Sequence, residues 1–507
     1  DKLVVYRNLE AGDNICLTYK IFHYSSGKLA EHFWDKMIFT RFLPARSIKY
    51  SLMIDNNTKF NWKLSNSEMK PIVREKGKYT QYIWERKDQK GTKGEKLMPS
   101  VVDFGEVLHI STFPDWDYIA KWYTDIAITK TKPDFEVKEA VATLFKNKGS
   151  LNPEQKVKEI YNYIVKNIRY SSISFRQSGL IPQRPADVLN TKIGDCKDVS
   201  SLFVAMCKEV GIESNLVLVA TRNFGDNQMP LPSIDFNHCI AKVNLNGQPY
   251  FVELTTDNYP FSAYNINLLK APALEIISAR SDLFQINPAV RTQNLRLRNT
   301  TISFADNKMM ITRKNVKTGV EAGGMRDVYR DAGIDQRNKI LKESLAGEYA
   351  SIKLESFSFD ENLMNTEDTL KYEFTYSVPL TAVFEEIAGM NIMKLNWSDG
   401  FEVLDFFNEE VRHFGMELFN LIPQDYSTET ISIKFPQGKT LVQTPKDLVL
   451  NTDFAEYSMK FELKGDTLKA IRNIKLKKDI IPASQFVEAK KFFESIIKAD
   501  KTQLAFK

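Results

Sequence analysis

The sequence predicts a multi-domain protein in which a central α+β core lies between two regions of antiparallel β-structure. The chain has 507 residues, and a prior of about 150 residues per domain suggests three or four domains. Helical periodicity is concentrated in the middle of the chain, whereas both ends consist mainly of short β-branched and aromatic segments separated by polar turns. With 43% apolar and 26% charged residues, the composition is that of a soluble globular protein and excludes disordered, collagenous and disulfide-scaffold classes.

The N-terminal region, predicted as residues 1–128, has the pattern of an antiparallel β-sandwich or barrel. Its candidate strands are rich in β-branched and aromatic residues, and turns such as A-G-D-N at 11–14 and D-N-N at 55–57 separate them. The predicted strands are 2–6, 15–22, 48–54 and 79–84.

The middle region, predicted as residues 129–282, begins where helical spacing of apolar residues replaces the strand pattern. A first helix is predicted over 133–146, and a second follows Asn152, a good N-cap, with Pro153 at its first position. A third helix starts at Asp195 or Cys196 and ends near Gly211. Helices followed by strands indicate an α+β core. Those strands are predicted at 215–220, 238–245 and 248–254.

The C-terminal region, predicted as residues 283–507, returns to strand patterns and ends in a helix and a short strand. Its residues do not decide between one antiparallel sandwich and two smaller ones. The predicted strands are 295–304, 308–314, 369–377, 430–435 and 457–464, and the predicted helices are 327–345 and 482–497.

Charge and metal-ligating residues exclude several classes of function. The chain has 69 basic and 64 acidic residues, a net charge of +5, and no concentrated basic stripe of the kind that nucleic-acid-binding proteins show. Its four cysteines show no C-x-x-C spacing, and the five histidines are scattered, so a thiolate zinc site has no support. No apolar run approaches the ~18 residues of a membrane-spanning helix. We expect no cofactor, no nucleic-acid partner and no transmembrane segment in this chain.

Cys196 stands at a predicted loop-to-helix junction, in the sequence G-D-C-K-D-V-S at 194–200. With Asp195 as N-cap, Cys196 takes the first helical position, where free amide N–H groups and the helix dipole favour negative charge. The thiolate is the nucleophilic form of cysteine, so this position suits a catalytic nucleophile. The same amides could bind an oxyanion. A buried structural cysteine is the alternative for Cys196 taken alone.

His238 begins a predicted hairpin that contains two nearby acids. The dipeptide Asn-Gly at 246–247 predicts a type I′ turn, and the resulting register puts Glu253 and Asp257 on the same face of the sheet as His238, as its diagonal neighbours. Either carboxylate could orient the imidazole, which is the third role in a Cys-His-acid triad. The residues alone leave that choice open.

The sequences I-G-D-C-K-D at 193–198, His238 and F-V-E-L-T at 251–255 together resemble the bacterial transglutaminase-like (papain-like thiol) superfamily. P-Q-R-P-A-D-V-L at 182–189 resembles the segment that precedes the family's G-D-C. The resemblance covers about residues 153–260 and implies a papain/transglutaminase-like core with Cys196, His238 and an acid as catalytic residues. The family pattern favours Glu253 over Asp257, although Glu stands where the family usually has Asp.

The flanking regions resemble β domains of unknown function that often bracket such cores in Gram-negative bacteria. F-P-D-W at 113–116 resembles the end of the N-terminal one, and residues 482–497 with L-A-F at 504–506 resemble the end of the C-terminal one. The resemblance implies a periplasmic or extracellular protein. The chain starts at Asp1 rather than Met, which indicates a processed or trimmed product from which any signal peptide has already been removed.

The function expected from these residues is acyl transfer through a thioester on Cys196, with a peptide or protein as substrate. Release of the thioester to water makes a peptidase or amide hydrolase, to which we incline, and release to an amine makes a cross-linking transglutaminase. The motif does not choose between them. A catalytically idle binding scaffold is the alternative of another class, and the oligomeric state is left open.

Two further expectations concern residues near the triad. Gln177 and Tyr170 lie upstream of the cysteine as candidate side-chain donors to an oxyanion, without being assigned that role. A metal-dependent hydrolase would rest on His238 with Asp235 and Glu253, and it lacks H-E-x-x-H or similar ligand spacing.

Overall fold

The computed structural model describes the chain except for short segments. Described are residues 4–22, 27–172, 179–288, 290–349, 351–360, 363, 365–366, 369–401 and 407–507. Within these ranges no helix is long and apolar enough to cross a membrane.

The N-terminal region contains two three-stranded antiparallel sheets, in the orders β1-β6-β3 and β2-β5-β4. Both sheets contribute to one buried cluster around Phe39, Ile48, Trp84 and Leu108, so they pack as a small sandwich. The strands are β1 (Trp34–Ile38), β2 (Ala45–Asp55), β3 (Asn61–Ser65), β4 (Ile72–Lys76), β5 (Tyr79–Gln89) and β6 (Val107–Ser111), and the short helix α1 is Val101–Phe104.

Two N-terminal predictions are confirmed and two are not. The strands predicted at 48–54 and 79–84 lie within β2 and β5. Residues 15–22 and the described part of 2–6 form no strand, and the apolar side chains there are exposed. Apolar alternation alone does not make a strand, because the backbone N–H and C=O groups also need a neighbouring strand.

The middle region is a helical layer packed on one antiparallel sheet of order β11-β10-β9-β12-β13. The helices are α2 (Trp116–Ala127), α3 (Phe135–Phe145), α4 (Pro153–Asn167), α5 (Pro185–Thr191) and α6 (Cys196–Glu209). The strands are β7 (Arg169–Tyr170), β8 (Ile193–Gly194), β9 (Ser214–Val219), β10 (His238–Leu245), β11 (Gln248–Val252), β12 (Pro272–Ile276) and β13 (Leu283–Gln285). The three predicted helices and three predicted strands of this region are all confirmed, with shifts of at most two residues at their ends.

Helix α2 differs from the prediction, which assigns residues 116–127 to the β-rich N-terminal region. Its buried side chains, among them Ile119, Ala120 and Tyr123, pack into the same apolar cluster as α4 and α6. The helix therefore packs with the middle region. The domain boundaries near residues 128 and 282 stay predictions.

The C-terminal region is built on a single eight-stranded sheet of order β16-β17-β15-β14-β21-β24-β23-β22. All its ladders are antiparallel except the central pair β14–β21, which is parallel and joins the two halves that the sequence left undecided. Its strands are β14 (Leu295–Ala305), β15 (Lys308–Lys317), β16 (Lys353–Phe359), β17 (Leu370–Pro379), β21 (Tyr426–Lys434), β22 (Leu448–Asn451), β23 (Ala455–Lys464) and β24 (Thr467–Leu476).

Small elements and helices cover this sheet and share its apolar core. They are the strands β18 (Glu385–Ile387), β19 (Met390–Lys394), β20 (Met416–Glu417), β25 (Ile480–Ile481) and β26 (Gln503–Phe506), and the helices α7 (Gly319–Tyr329), α8 (Ile334–Leu345), α9 (Leu418–Leu421) and α10 (Phe486–Asp500). The helix predicted over 327–345 is instead two helices, α7 and α8, with a break at Arg330–Gly333.

Candidate active site

The N-terminus of α6 carries Cys196 at its first helical position, as predicted. Asp195 caps the helix through one carboxylate oxygen, which accepts from the amides of Lys197 at 3.2 Å and Asp198 at 3.3 Å. The Asp198 carboxylate accepts from the Asp195 amide at 3.1 Å and completes a reciprocal capping box. The Cys196 side chain is partly exposed, so it lies within reach of a ligand.

Asp198 also fixes the segment that leads up to the cysteine. Its carboxylate accepts from the backbone amide of Gln183 at 2.7 Å and from the Gln183 side-chain amide at 2.6 Å, and its side chain is almost fully buried. Asp198 is not among the site residues predicted from the sequence. The capping-box spacing D-x-x-D was the signal that could have identified it.

The predicted β10–β11 hairpin is confirmed in both turn and register. Leu245 pairs with Gln248, and the turn residues Asn246 and Gly247 have φ of 52° and 75°, as a type I′ turn requires. His238 is the first residue of β10 and pairs with β9 on its other side. Helix and strand are joined by the Ser200 hydroxyl, which donates to the carbonyl of Cys239 at 3.2 Å.

The structure brings Cys196, His238 and Glu253 together. His238 Nε2 lies 2.7 Å from Glu253 Oε2, and the Cys196 thiol is close enough to the imidazole to raise its pKa. Because Nε2 is occupied by the carboxylate, Nδ1 is the nitrogen that remains for the sulfur. The other carboxylate oxygen of Glu253 accepts from the Thr255 amide at 2.9 Å and from its hydroxyl at 2.6 Å. Both carboxylate oxygens of this buried acid are therefore hydrogen-bonded.

Electrostatics at the pair favour a charged imidazole and a charged carboxylate. Burial lowers the pKa of His238, but the charge of Glu253 and the hydrogen bonds to Cys196 and Glu253 outweigh it and raise that pKa to about 10. Burial likewise raises the pKa of Glu253, and His238 and Thr255 outweigh it, so the pKa of the acid is lowered. At neutral pH the two groups form an imidazolium–carboxylate pair.

Asp257, the other candidate acid, is not placed at the imidazole. Its carboxylate instead lies 2.8 Å from a guanidinium nitrogen of Arg330, which follows α7 in the C-terminal region. β11 ends at Val252, so the face alternation used to place Asp257 beside His238 does not extend to that residue. Asp235, considered as a metal ligand, accepts a hydrogen bond from the Trp34 indole at 3.2 Å.

Tyr170 lies beside the cysteine because β7 pairs with β8, which puts Tyr170 opposite Gly194. Burial, together with the charges of Cys196, Asp195 and Glu253, raises the pKa of Tyr170 to about 12, so its hydroxyl stays protonated and can donate. Gln177, the other candidate donor, lies outside the described residues. Across the part of the chain that is described, no group of three or more His, Cys, Asp or Glu side chains is arranged to hold a metal ion.

Comparison with known families finds three matching segments in the chain. Residues 120–252 match the model of the transglutaminase-like superfamily, which includes Cys196 and His238 and stops one residue before Glu253. Residues 1–93 and 412–506 match two domains of unknown function with solved structures, DUF3857 and DUF3858. The chain therefore carries a transglutaminase-like domain flanked by DUF3857 and DUF3858 domains.

Comparison with solved structures supports the fold. A crystal structure described as a "putative protease" from Parabacteroides distasonis is similar with a TM-score of 0.59 and 15% identity, over 94% of this chain and 75% of that one. A "putative cysteine protease" from Cytophaga hutchinsonii matches with a TM-score of 0.21 and 11% identity, over 50% of this chain and 88% of that one. No curated protein matches the chain. The protein thus has a multi-domain α+β fold with a transglutaminase-like core and β-rich flanks.

Proposed function

We propose that the protein is a cysteine-dependent acyl-transfer enzyme, a peptidase or amide hydrolase that acts through a thioester on Cys196. The observation that carries this proposal is the position of the His238 imidazole, close to Cys196 at the start of α6 and 2.7 Å from Glu253 Oε2. A nucleophile, a base and an orienting acid in series are the arrangement that activates cysteine for acyl transfer.

The chemistry follows from the order of these groups. His238 holds the proton that Cys196 gives up, and Cys196 Sγ attacks the carbonyl carbon of a peptide or amide bond. The imidazolium passes this proton to the leaving nitrogen, the C–N bond breaks, and an amine departs while the acyl group stays on sulfur. Water then attacks the thioester and gives a proton to His238, the C–S bond breaks, and the acid leaves Cys196 with its proton again on the imidazole. Glu253 remains ionised and holds the ring, because its pKa is lowered by His238 and Thr255.

The backbone supplies a donor for the oxyanion of the tetrahedral intermediate. In the first turn of α6, Asp195 already accepts from the amides of Lys197 and Asp198. The amide of Cys196 has no such bond to a described residue and points from the start of the helix, where the dipole is positive. We assign this amide to the oxyanion, with the protonated Tyr170 hydroxyl as a side-chain candidate for a second donor.

A peptide carrying a thiol-directed electrophile tests the proposal. Cys207 and Cys239 are buried but Cys16 is exposed, so the measurement uses a Cys16→Ser background. We expect one adduct per chain, located on Cys196 by tryptic mass spectrometry. We expect the labelling rate to fall by about 100-fold or more in His238→Ala, since the base is lost.

The controls separate the rival functions. Iodoacetamide, which needs no substrate site, should modify Cys196 in the folded protein. Failure of the peptide electrophile to label Cys196 under the same conditions would overturn the enzyme and favour an idle scaffold. If labelled enzyme is obtained, incubation of a peptide library with and without a primary amine separates hydrolysis from transamidation. Amine incorporation exceeding hydrolysis would replace the peptidase by a transglutaminase.

A further inference from the structure

A helix of the C-terminal region packs directly on the loop that follows Glu253. Helix α7 approaches this loop through Gly323, where a β-carbon would lie 2.3 Å from a ring carbon of Tyr259 and 3.3 Å from the carbonyl oxygen of Asn258. Contact at this distance is open only to glycine. The approach brings the end of α7 within hydrogen-bonding distance of the loop.

Polar contacts fix the same loop from the same side. Arg330, at the end of α7, lies 2.8 Å from Asp257 Oδ2 and donates to Asn258 Oδ1, also at 2.8 Å. The Asn258 side-chain nitrogen donates in turn to Asp327 Oδ1 at 3.2 Å. The oxygen of the Asn258 side-chain amide is therefore bonded to Arg330, the residue that follows α7, and its nitrogen is bonded to α7 itself. Asn258 is 7% exposed. Buried polar groups bonded on both ends give a loop a single conformation.

The clamped loop is the one that sets the position of the acid. Glu253 lies beyond the last residue of β11, so no strand ladder fixes it. Its carboxylate is held by the backbone amide and hydroxyl of Thr255, two residues before Asp257. A shift of the loop moves Thr255 and changes where Glu253 meets the imidazole. The Tyr161 hydroxyl, which donates to the Tyr259 carbonyl at 2.9 Å, supports the loop from within the core.

We propose that Arg330 is a positioning residue for the triad acid. From the C-terminal region it clamps the 255–259 loop, so that Glu253 is held against His238, and it binds Asp257, the rival carboxylate. The role of Arg330 in catalysis rests on the function proposed above. Its role in fixing the His238–Glu253 pair is independent of that function. The acid of the transglutaminase-like core is then positioned by a residue that lies outside that core.

The test uses the full-length chain with ¹³C-labelled histidine and follows the imidazole of His238 by NMR as the pH is raised. Five histidines are present, and His238→Gln assigns the signal. Glu253 raises the pKa of His238, so a loosened acid should move that pKa down toward its ordinary value of about 6.5. We expect this downward shift in Arg330→Met and a partial return in Arg330→Lys. The matched control is Lys314→Met, which removes an exposed pair to Glu373 elsewhere in the same region and should leave His238 unchanged.

Turnover of a peptide substrate gives the second readout. We expect kcat of Arg330→Met to fall by about tenfold with KM little changed, because a misplaced acid disturbs the transition state more than substrate binding. An unchanged His238 titration in folded Arg330→Met would overturn the clamp whether or not the protein is an enzyme. A shifted titration in a protein whose wild type labels no peptide electrophile would instead support the clamp and overturn the proposed function. If Arg330→Met unfolds, Gly323→Ala replaces it in both measurements.

Discussion

The two flanking regions both touch loops that lead to the candidate triad, but they do so at opposite ends and by different means. The N-terminal side contacts the chain before His238, where the Trp34 indole donates to Asp235 at 3.2 Å and the Ser111 hydroxyl donates to the Pro232 carbonyl at 2.5 Å. The C-terminal side contacts the chain after Glu253, through Arg330 and the close packing of Gly323.

The difference lies in how much support His238 and Glu253, the candidate catalytic groups, each have without the neighbouring flank. His238 belongs to β10 and is paired with Val219 of β9, so sheet hydrogen bonds fix it whatever the preceding loop does. Glu253 stands past the last residue of β11 and depends on the loop itself. We therefore expect changes on the N-terminal side to affect mainly stability and changes on the C-terminal side to affect mainly catalysis.

The largest loss of kcat is expected on substitution of Glu253, the residue that depends on the C-terminal side. Glu253→Gln keeps the shape of the side chain but removes the charge that orients and stabilises the imidazolium, so kcat should fall by about 10²–10⁴-fold. The matched control is Asp257→Asn, which should lower kcat by no more than about tenfold, since it affects only the clamp. Steady-state kinetics on one peptide decides the assignment. A larger loss in Asp257→Asn than in Glu253→Gln would make Asp257 the acid.

Adjacent glycines of α7 offer a sharper test of the C-terminal contact. Gly323→Ala puts a methyl group 2.3 Å from the Tyr259 ring, whereas at Gly324 a β-carbon meets nothing within 4 Å. We expect Gly323→Ala to lower the free energy of unfolding by about 1–3 kcal/mol and to lower kcat several-fold. Gly324→Ala should instead raise stability by up to about 1 kcal/mol, through helix propensity alone.

Urea unfolding and peptide turnover on both glycine variants check this prediction. Equal effects of the two substitutions would show that α7 does not depend on its close approach to the loop. The N-terminal side would then be the more important support of the candidate site.

The pH dependence of stability measures the His238–Glu253 pair directly. The folded-state pKa of His238, about 10, lies above its unfolded value, so its contribution to stability is complete below about pH 6.5 and is lost as the pH rises toward 10. The difference in unfolding free energy between wild type and His238→Gln should therefore shrink, by up to about 5 kcal/mol, over this range. Urea denaturation at several pH values tests it. A difference that stays constant with pH would contradict the ion pair.

The smallest effect is expected on the N-terminal side. Trp34→Phe removes the hydrogen bond to Asp235 and should cost about 1 kcal/mol of unfolding free energy. Because β9 and β10 hold His238 independently, kcat should change by less than about twofold, which corresponds to under about 0.5 kcal/mol in the barrier. Kinetics and urea unfolding on the same preparation measure both quantities. A tenfold loss of kcat with normal stability would contradict the expectation that the N-terminal side affects mainly stability.

Local signals in the sequence were sufficient to predict the central elements. Asp195 as N-cap, Asn152 with Pro153, and the Asn-Gly turn at 246–247 each fix a helix start or a strand register through contacts within a few residues. These signals put Cys196 and His238 where the structure has them. The preference for Glu253 over Asp257 comes instead from the resemblance to a family pattern, and these local signals leave that choice open.

The remaining features depend on contacts between distant residues. In the structure, Asp257 lies 2.8 Å from Arg330, which is more than seventy residues further along the chain, while Glu253 lies 2.7 Å from His238. The parallel pairing of β14 with β21 and the lack of a strand at 15–22 depend in the same way on which strands become neighbours. Alternation of apolar residues carries no information about that choice.

The parallel pairing of β14 with β21 affects the order in which the chain can fold during synthesis. Residues 306–425 separate the two strands, and long-range parallel ladders form slowly because the intervening chain must close first. Helix α7 is tied to β14 by the ion pair of Arg296 with Glu321, at 2.9 Å. As a chain emerges from the ribosome N-terminus first, Cys196 and His238 can be in place while this sheet is still open. The loop that carries the acid therefore receives its last support late, after most of the protein has been made.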